Sequence, residues 1–345
     1  MSKIPTISQF LESNSSRLRL FDMGRRVVKI PRELFLKFEQ GEISYPYPLQ
    51  RKAWFGILFQ QQGREPFIWF LQLPLDELGR LVLAARDDFL HRLLERIGEN
   101  LQAAKEGQQL ESALQDNPYC FKPKDERLAI FHAKAARAFK RQPSKYYPHA
   151  QQYFSGELGW DQWPFVGYQG IADMAVRQHE TENNRHLSQA ISQLPIRPFE
   201  ALCHCLENEQ ITLDITQALL DRVQKTIAET TPDPAIISSA IRGVAQSCSA
   251  SLRRELLHAV LNRPDLCTPD LLMAISGRVW ESLKEAESGR LYLERLAENS
   301  AGQPFFSQSL ADLLYLPGMR EPLLRLIRSP DRSEQLAQAV GEMLG

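Results

Sequence analysis

Residues able to do chemistry are few, and their spacing limits what they can do. Cys203-His204-Cys205 gathers three metal-ligating side chains, but consecutive helical residues project about 100° apart and cannot close on one ion unaided. Two core thiols and a solvent-side histidine account for them better. His179 and His186 are seven residues apart and would share a helix face at a separation of about 10 Å, too long for a common metal. Asn183-Asn184 also interrupts the pattern between them. There is no glycine-rich phosphate loop, nucleophile elbow or H-E-x-x-H motif. No catalytic residue, metal or cofactor is expected, and an enzyme would need a polar pocket around a histidine such as His132 or His149.

Two groups of residues suit binding instead. From Lys122 to Lys145 eight basic residues face only Asp125 and Glu126. On a helical wheel Arg127, Lys134, Arg137 and Arg141 fall within an arc of about 80°, opposite Leu128, Phe131, Ala135 and Phe139. Tyr146, Tyr147 and His149 follow at once, giving the mixture of cations and stacking rings that single-stranded nucleic acid uses. A solvated helix face beside a tyrosine-rich turn, or a seat for an acidic protein surface, fits the same residues. The second group is Trp160-Asp-Gln-Trp163-Pro-Phe-Val-Gly-Tyr-Gln-Gly, where two tryptophans precede Gly167 and Gly170. Glycine costs roughly 1 kcal/mol inside a helix, so its repetition predicts close approach of another backbone. Core packing is the first reading of such an aromatic cluster; the other is an exposed recognition surface, for which Trp160 and Trp163 are the candidate binding residues. The same two readings apply to Tyr45 and Tyr47, which Pro46 and Pro48 hold extended.

The elements that must position these residues change character along the chain. Arg17 to Ile30 alternates polar and apolar residues about a turn near Asp22 to Gly24, which predicts a hairpin. Pro31 opens a short amphipathic helix through Leu34, Phe35 and Phe38. Ala53–Phe59 and Pro66–Leu73 are aromatic and β-branched, as paired buried strands are. From about residue 79 the apolar period becomes 3.6, predicting a long helix through Ile97. Residues 1–100 thus read as a small α+β domain and 101–126, which contain Asn117-Pro118 and Lys122-Pro123, as a linker. Residues 127–345 read as helical repeats, because Pro198, Pro234, Pro269 and Pro304 recur at intervals of 36, 35 and 35 residues, each followed by a pair of apolar-periodic helices. Helix pairs at that period are the signature of a HEAT-like α-solenoid.

Composition bounds the rest. The 345 residues include 41 Lys+Arg and 42 Asp+Glu, and 43% are hydrophobic, an ordinary soluble balance. No apolar run approaches the roughly 18 residues that span a bilayer, and the start lacks a signal-peptide core, so a cytoplasmic protein without a membrane segment is expected. Five irregularly spaced cysteines suit reduced thiols rather than a disulfide framework. The net charge of −1 conceals a split: residues 1–150 carry +7 and residues 151–345 carry −8, which makes an anionic partner for the first half plausible.

Trp69-Phe-Leu-Gln-Leu-Pro-Leu-Asp-Glu77, Ala129-Ile-Phe-His-Ala133 and Trp160 through Asp173 resemble segments of an uncharacterised family of gammaproteobacterial proteins, over the whole chain. The resemblance implies a bacterial cytoplasmic protein and transfers no activity or site residue. The expected function is non-enzymatic: an α+β protein whose helical-repeat surface binds a protein partner. The alternative is RNA or nucleic-acid binding through the basic stripe of residues 122–145.

Overall fold

Alternation along the first strands sorts their side chains onto two faces, and one face builds a core. In the computed structural model, which describes residues 6–14, 17–60, 66–99, 114 and 117–345, β1 (Arg17–Asp22), β2 (Val28–Ile30), β3 (Lys52–Gln60) and β4 (Phe67–Pro74) form an antiparallel sheet in the order β2-β1-β3-β4. Register places Ile30, Leu20, Ile57 and Trp69 opposite one another across all four strands, and all four are buried. Cross-strand rows of this kind are what stabilises a sheet. Helices α1 (Ile7–Asn14), α2 (Arg32–Glu39) and α3 (Leu83–Glu99) add Leu11, Phe35, Phe38, Phe89, Leu90 and Leu93 to the same core. The hairpin, the short helix after Pro31 and the paired strands are where alternation predicts them.

Two features of this region bear on the sequence-based expectation. Tyr45 is fully buried, and its ring packs edge-on against Phe55 at 5.2 Å, which is the core reading of that residue. Much of the segment read as a linker lies outside the described residues, but 117–121 runs antiparallel beside β4: Gln72 N donates to Tyr119 O at 2.7 Å and Phe121 N to Phe70 O at 3.1 Å. Phe121 then covers Trp54 at 4.8 Å.

The chain divides into two compact units, Met1–Arg127 and Leu128–Gly345. The second is helical, and its helices alternate between two rows. One row is α5 (Tyr147–Phe154), α7 (Thr181–Ala190), α9 (Leu213–Ile227), α11 (Ala250–Leu261), α13 (Ala286–Ala297) and α15 (Arg320–Ile327). The other is α6 (Tyr168–Val176), α8 (Ile196–Leu206), α10 (Pro234–Gly243), α12 (Pro269–Arg278), α14 (Gly302–Tyr315) and α16 (Glu334–Leu344). Each of these helices packs on the one two places along. The helix α4 (Asp125–Ala138) precedes them.

The repeating prolines mark helix starts in two ways. Pro234 and Pro269 occupy the first helical position behind N-caps, with Asp233 Oδ1 accepting from Ala235 N at 2.9 Å and Thr268 Oγ1 from Leu271 N at 3.3 Å. Pro198 and Pro304 fall at the third position instead, where the missing N–H is also harmless because first-turn amides lack intrahelical acceptors. Among the described residues no helix is long and apolar enough to cross a membrane.

Candidate functional site

The basic stripe is held by its own chain more than composition suggests. Lys134 Nζ lies 2.7 Å from Glu209 Oε1 and also donates to Asn208 O, with only 12% of its side chain exposed. Arg137 Nη1 donates to Val176 O at 2.6 Å and lies 4.0 Å from Glu209 Oε2. Arg127 Nη2 donates to Arg25 O at 3.4 Å. Arg141 is off the helix altogether, because α4 ends at Ala138 and Lys140 turns into the left-handed region at φ 56°. A Schellman-type pair, Lys140 N to Arg137 O and Arg141 N to Ala136 O, closes that end. The predicted 80° arc therefore describes Arg127, Lys134 and Arg137 alone.

The aromatic candidates separate in the same way. Tyr147 is buried, donating to Glu180 Oε2 at 3.2 Å and accepting from Asn183 Nδ2 at 2.7 Å. Trp160 packs edge-on against Tyr153 at 5.6 Å. Tyr146, Trp163 and Phe165 remain exposed, Phe165 most of all, and Lys145 Nζ sits 5.3 Å above the Tyr146 ring. Residues 160–165 form a 3-10 turn rather than part of a helix, and Gly167 caps α6. Gly170 does permit close approach: a Cβ there would lie 2.7 Å from Tyr146 O and 2.9 Å from Ala150 Cβ.

Glu207 and Glu209 organise the charges, and sequence motifs gave neither. They follow α8 in the buried triplet Glu207-Asn208-Glu209, where Asn208 Nδ2 donates to His204 O at 2.8 Å and so finishes the helix end. Glu209 faces Lys134 and Arg137. Glu207, 4% exposed, takes Arg242 bidentately, Nε at 2.8 Å and Nη2 at 3.2 Å, while Arg278 Nε lies 2.9 Å from its Oε2. Glu207, Arg242 and Arg278 are spaced by 35 and 36 residues, the period of the prolines. The available signal was that period, applied to charges at helix ends instead of prolines at helix starts.

Beside this cluster a groove of about 580 Å³ runs along α10 between α8 and α12. Arg242, Arg278 and His204 line it, together with Ser238, Ser239, Met273 and Gly277. Glu200 and Asp270 bring negative charge to the same walls. Cys203 and Cys205, by contrast, are buried, and burial pushes both thiols well up. The middle residue of Cys203-His204-Cys205 is thus the one that reaches the groove.

A Ser-His-carboxylate grouping also exists but is a helix cap. Ser288 Oγ donates to Glu285 Oε2 at 2.5 Å and lies 2.9 Å from His258 Nε2. With its proton directed at Glu285, the hydroxyl accepts from the ring instead of losing a proton to it. Ser288 is fully buried in the first turn of α13.

The family described as Protein of unknown function (DUF3549) matches residues 2–344, and the chain belongs to that family. No curated protein and no solved structure matches the chain.

Proposed function

We propose that this is a non-enzymatic binding or adaptor protein of the bacterial cytoplasm, in which the helical unit is a HEAT-like solenoid that receives a partner protein. Helical repeats of that kind present extended concave surfaces and most often serve as binding platforms. The groove carries this reading, because it spans three successive helices of one row, α8, α10 and α12, and mixes polar with apolar walls. Capture on the immobilised full chain in mild salt is expected to recover one protein near stoichiometry. Recovery of none in that amount would overturn the proposal.

A second reading is favoured by one observation, the exposed ring of Tyr146 with the Lys145 ammonium above it, which is a stacking platform for single-stranded nucleic acid. Lys134 counts against it, being already engaged by Glu209. For this reading Lys140→Glu with Lys145→Glu should weaken RNA retention and flatten its salt dependence. Unchanged retention would dispose of it.

A further inference from the structure

We infer that the groove along α10 recognises a peptide segment of a partner protein carrying one acidic side chain and, about 12 Å away, one basic side chain. The inference rests on the groove being the partner surface proposed above. Arg242 and two serines on its walls keep hydrogen-bonding capacity that no other described residue uses. Arg242 uses Nε and Nη2 on Glu207, leaving Nη1 without a hydrogen bond among the described residues, and the side chain is 27% exposed. Ser238 and Ser239 make no side-chain hydrogen bond among the described residues, and Ser239 is only 4% exposed. These groups line the groove with donor and acceptor capacity that water can meet in the free protein and that a polar occupant can take over.

Charge decides which occupant. Glu207 fixes the Arg242 guanidinium and so preorganises it for a planar carboxylate, which arginine matches with two parallel hydrogen bonds. A polyanion is disfavoured. Glu200 and Asp270 line the same groove, and Glu207 holds both arginines. Two arginines against these groups leave room for one carboxylate and repel a run of phosphates. Arg278 Nε meets the same Glu207 Oε2 as Arg242 Nε, at 2.9 and 2.8 Å, so Arg278 marks the arginine end of the groove. Asp270 stands in the first turn of α12 and Arg278 at its last residue, eight residues or about 12 Å apart. The complementary pair on a partner is then seven to eight residues apart if helical, or about four if extended. Between the two ends Met273 is 51% exposed and can adapt to an apolar side chain. Gly277 has no atom within 4 Å of where a Cβ would stand, which leaves space for that side chain.

The test selects displayed random 12-residue peptides on the full chain and measures the selected peptides by fluorescence anisotropy. Selected sequences are expected to share an acidic and a basic residue at the stated spacing. Gly277→Glu, which brings a second negative charge into the groove and competes with the peptide's carboxylate, should weaken them about tenfold, and Gly277→Ala about twofold or less. Exposed Met273→Glu is the second variant should Gly277→Glu unfold. Selected peptides that lack an acidic residue, bind Gly277→Glu as tightly as the parent, or fail to emerge at all would overturn the inference. Peptides indifferent to Gly277→Glu but lost on Phe165→Asp would overturn it while leaving the protein-binding proposal standing. Failure of stoichiometric capture would remove that proposal itself.

Discussion

Asp22 is the residue whose environment is most at odds with its chemistry. It is fully buried, and burial pushes its carboxyl from 3.8 up to about 6, although Arg26 N, the Tyr45 hydroxyl, Gly24 N and the Arg127 charge all pull the other way. The folded protein therefore holds this proton more tightly than the unfolded chain does. The stability it contributes is complete below pH 3.8 and is lost as pH rises to about 6, amounting to about 3 kcal/mol across that window. Asp22→Asn should flatten the dependence of the urea midpoint on pH between 4 and 6, with the parent losing stability as pH rises. An identical slope in the two proteins would show that Asp22 does not titrate there. Nothing in the alternation of β1 foretold this, because Tyr45 and Arg127 lie 23 and 105 residues away in sequence.

At the scale of elements, two glycines in helices should respond in opposite ways. Gly170→Ala pushes a methyl against backbone and Ala150, and should destabilise the packing of α5 on α6 by about 1–3 kcal/mol. Gly277→Ala meets nothing and should stabilise α12 by about 0.5–1 kcal/mol through backbone entropy alone. Thermal unfolding of both variants checks the pair, and equal shifts would deny the difference in their surroundings. The ends of α8, α10 and α12 depend on Glu207 in the same direct sense. Glu207→Gln leaves two guanidinium groups without their buried carboxylate and should cost about 3 kcal/mol, partly recovered when Arg242→Gln is added and Arg278 alone remains unpaired. An additive double mutant would mean that the ion pair is only geometric.

For the whole molecule the relevant quantity is the division into two units. Each has its own core, so residues 122–345 alone, which keep α4 intact, should retain helical circular dichroism and unfold in one cooperative transition. A broad, non-cooperative melt would mean that the helical unit needs the sheet unit to fold. The division also changes the meaning of the charge split. Lys134 and Arg137 belong to the first 150 residues by count, yet they face Glu209 within the helical unit. Part of the +7 excess is thus answered inside the protein, and Lys140, Arg141 and Lys145, next to Tyr146 in the chain, stay at the surface.

What the residues determined by themselves was local. Alternation placed the strands, proline behind Asp233 and Thr268 placed helix starts, and the 35-residue period announced the succession of helix pairs, because each depends on neighbours within a few positions or on simple repetition. Local reasoning also chose a core role for Cys203 and Cys205. What only the tertiary structure decided was which side chains meet. Lys134 finds Glu209 75 residues away, residues 117–121 find the edge of β4, and Glu207 gathers arginines from two later helices. Those meetings are set by how whole helices and strands pack, and a helical wheel contains no information about the partner on its far side. The stripe that composition made prominent is therefore partly structural, and the groove that composition concealed is where arginines from two helices meet one buried carboxylate.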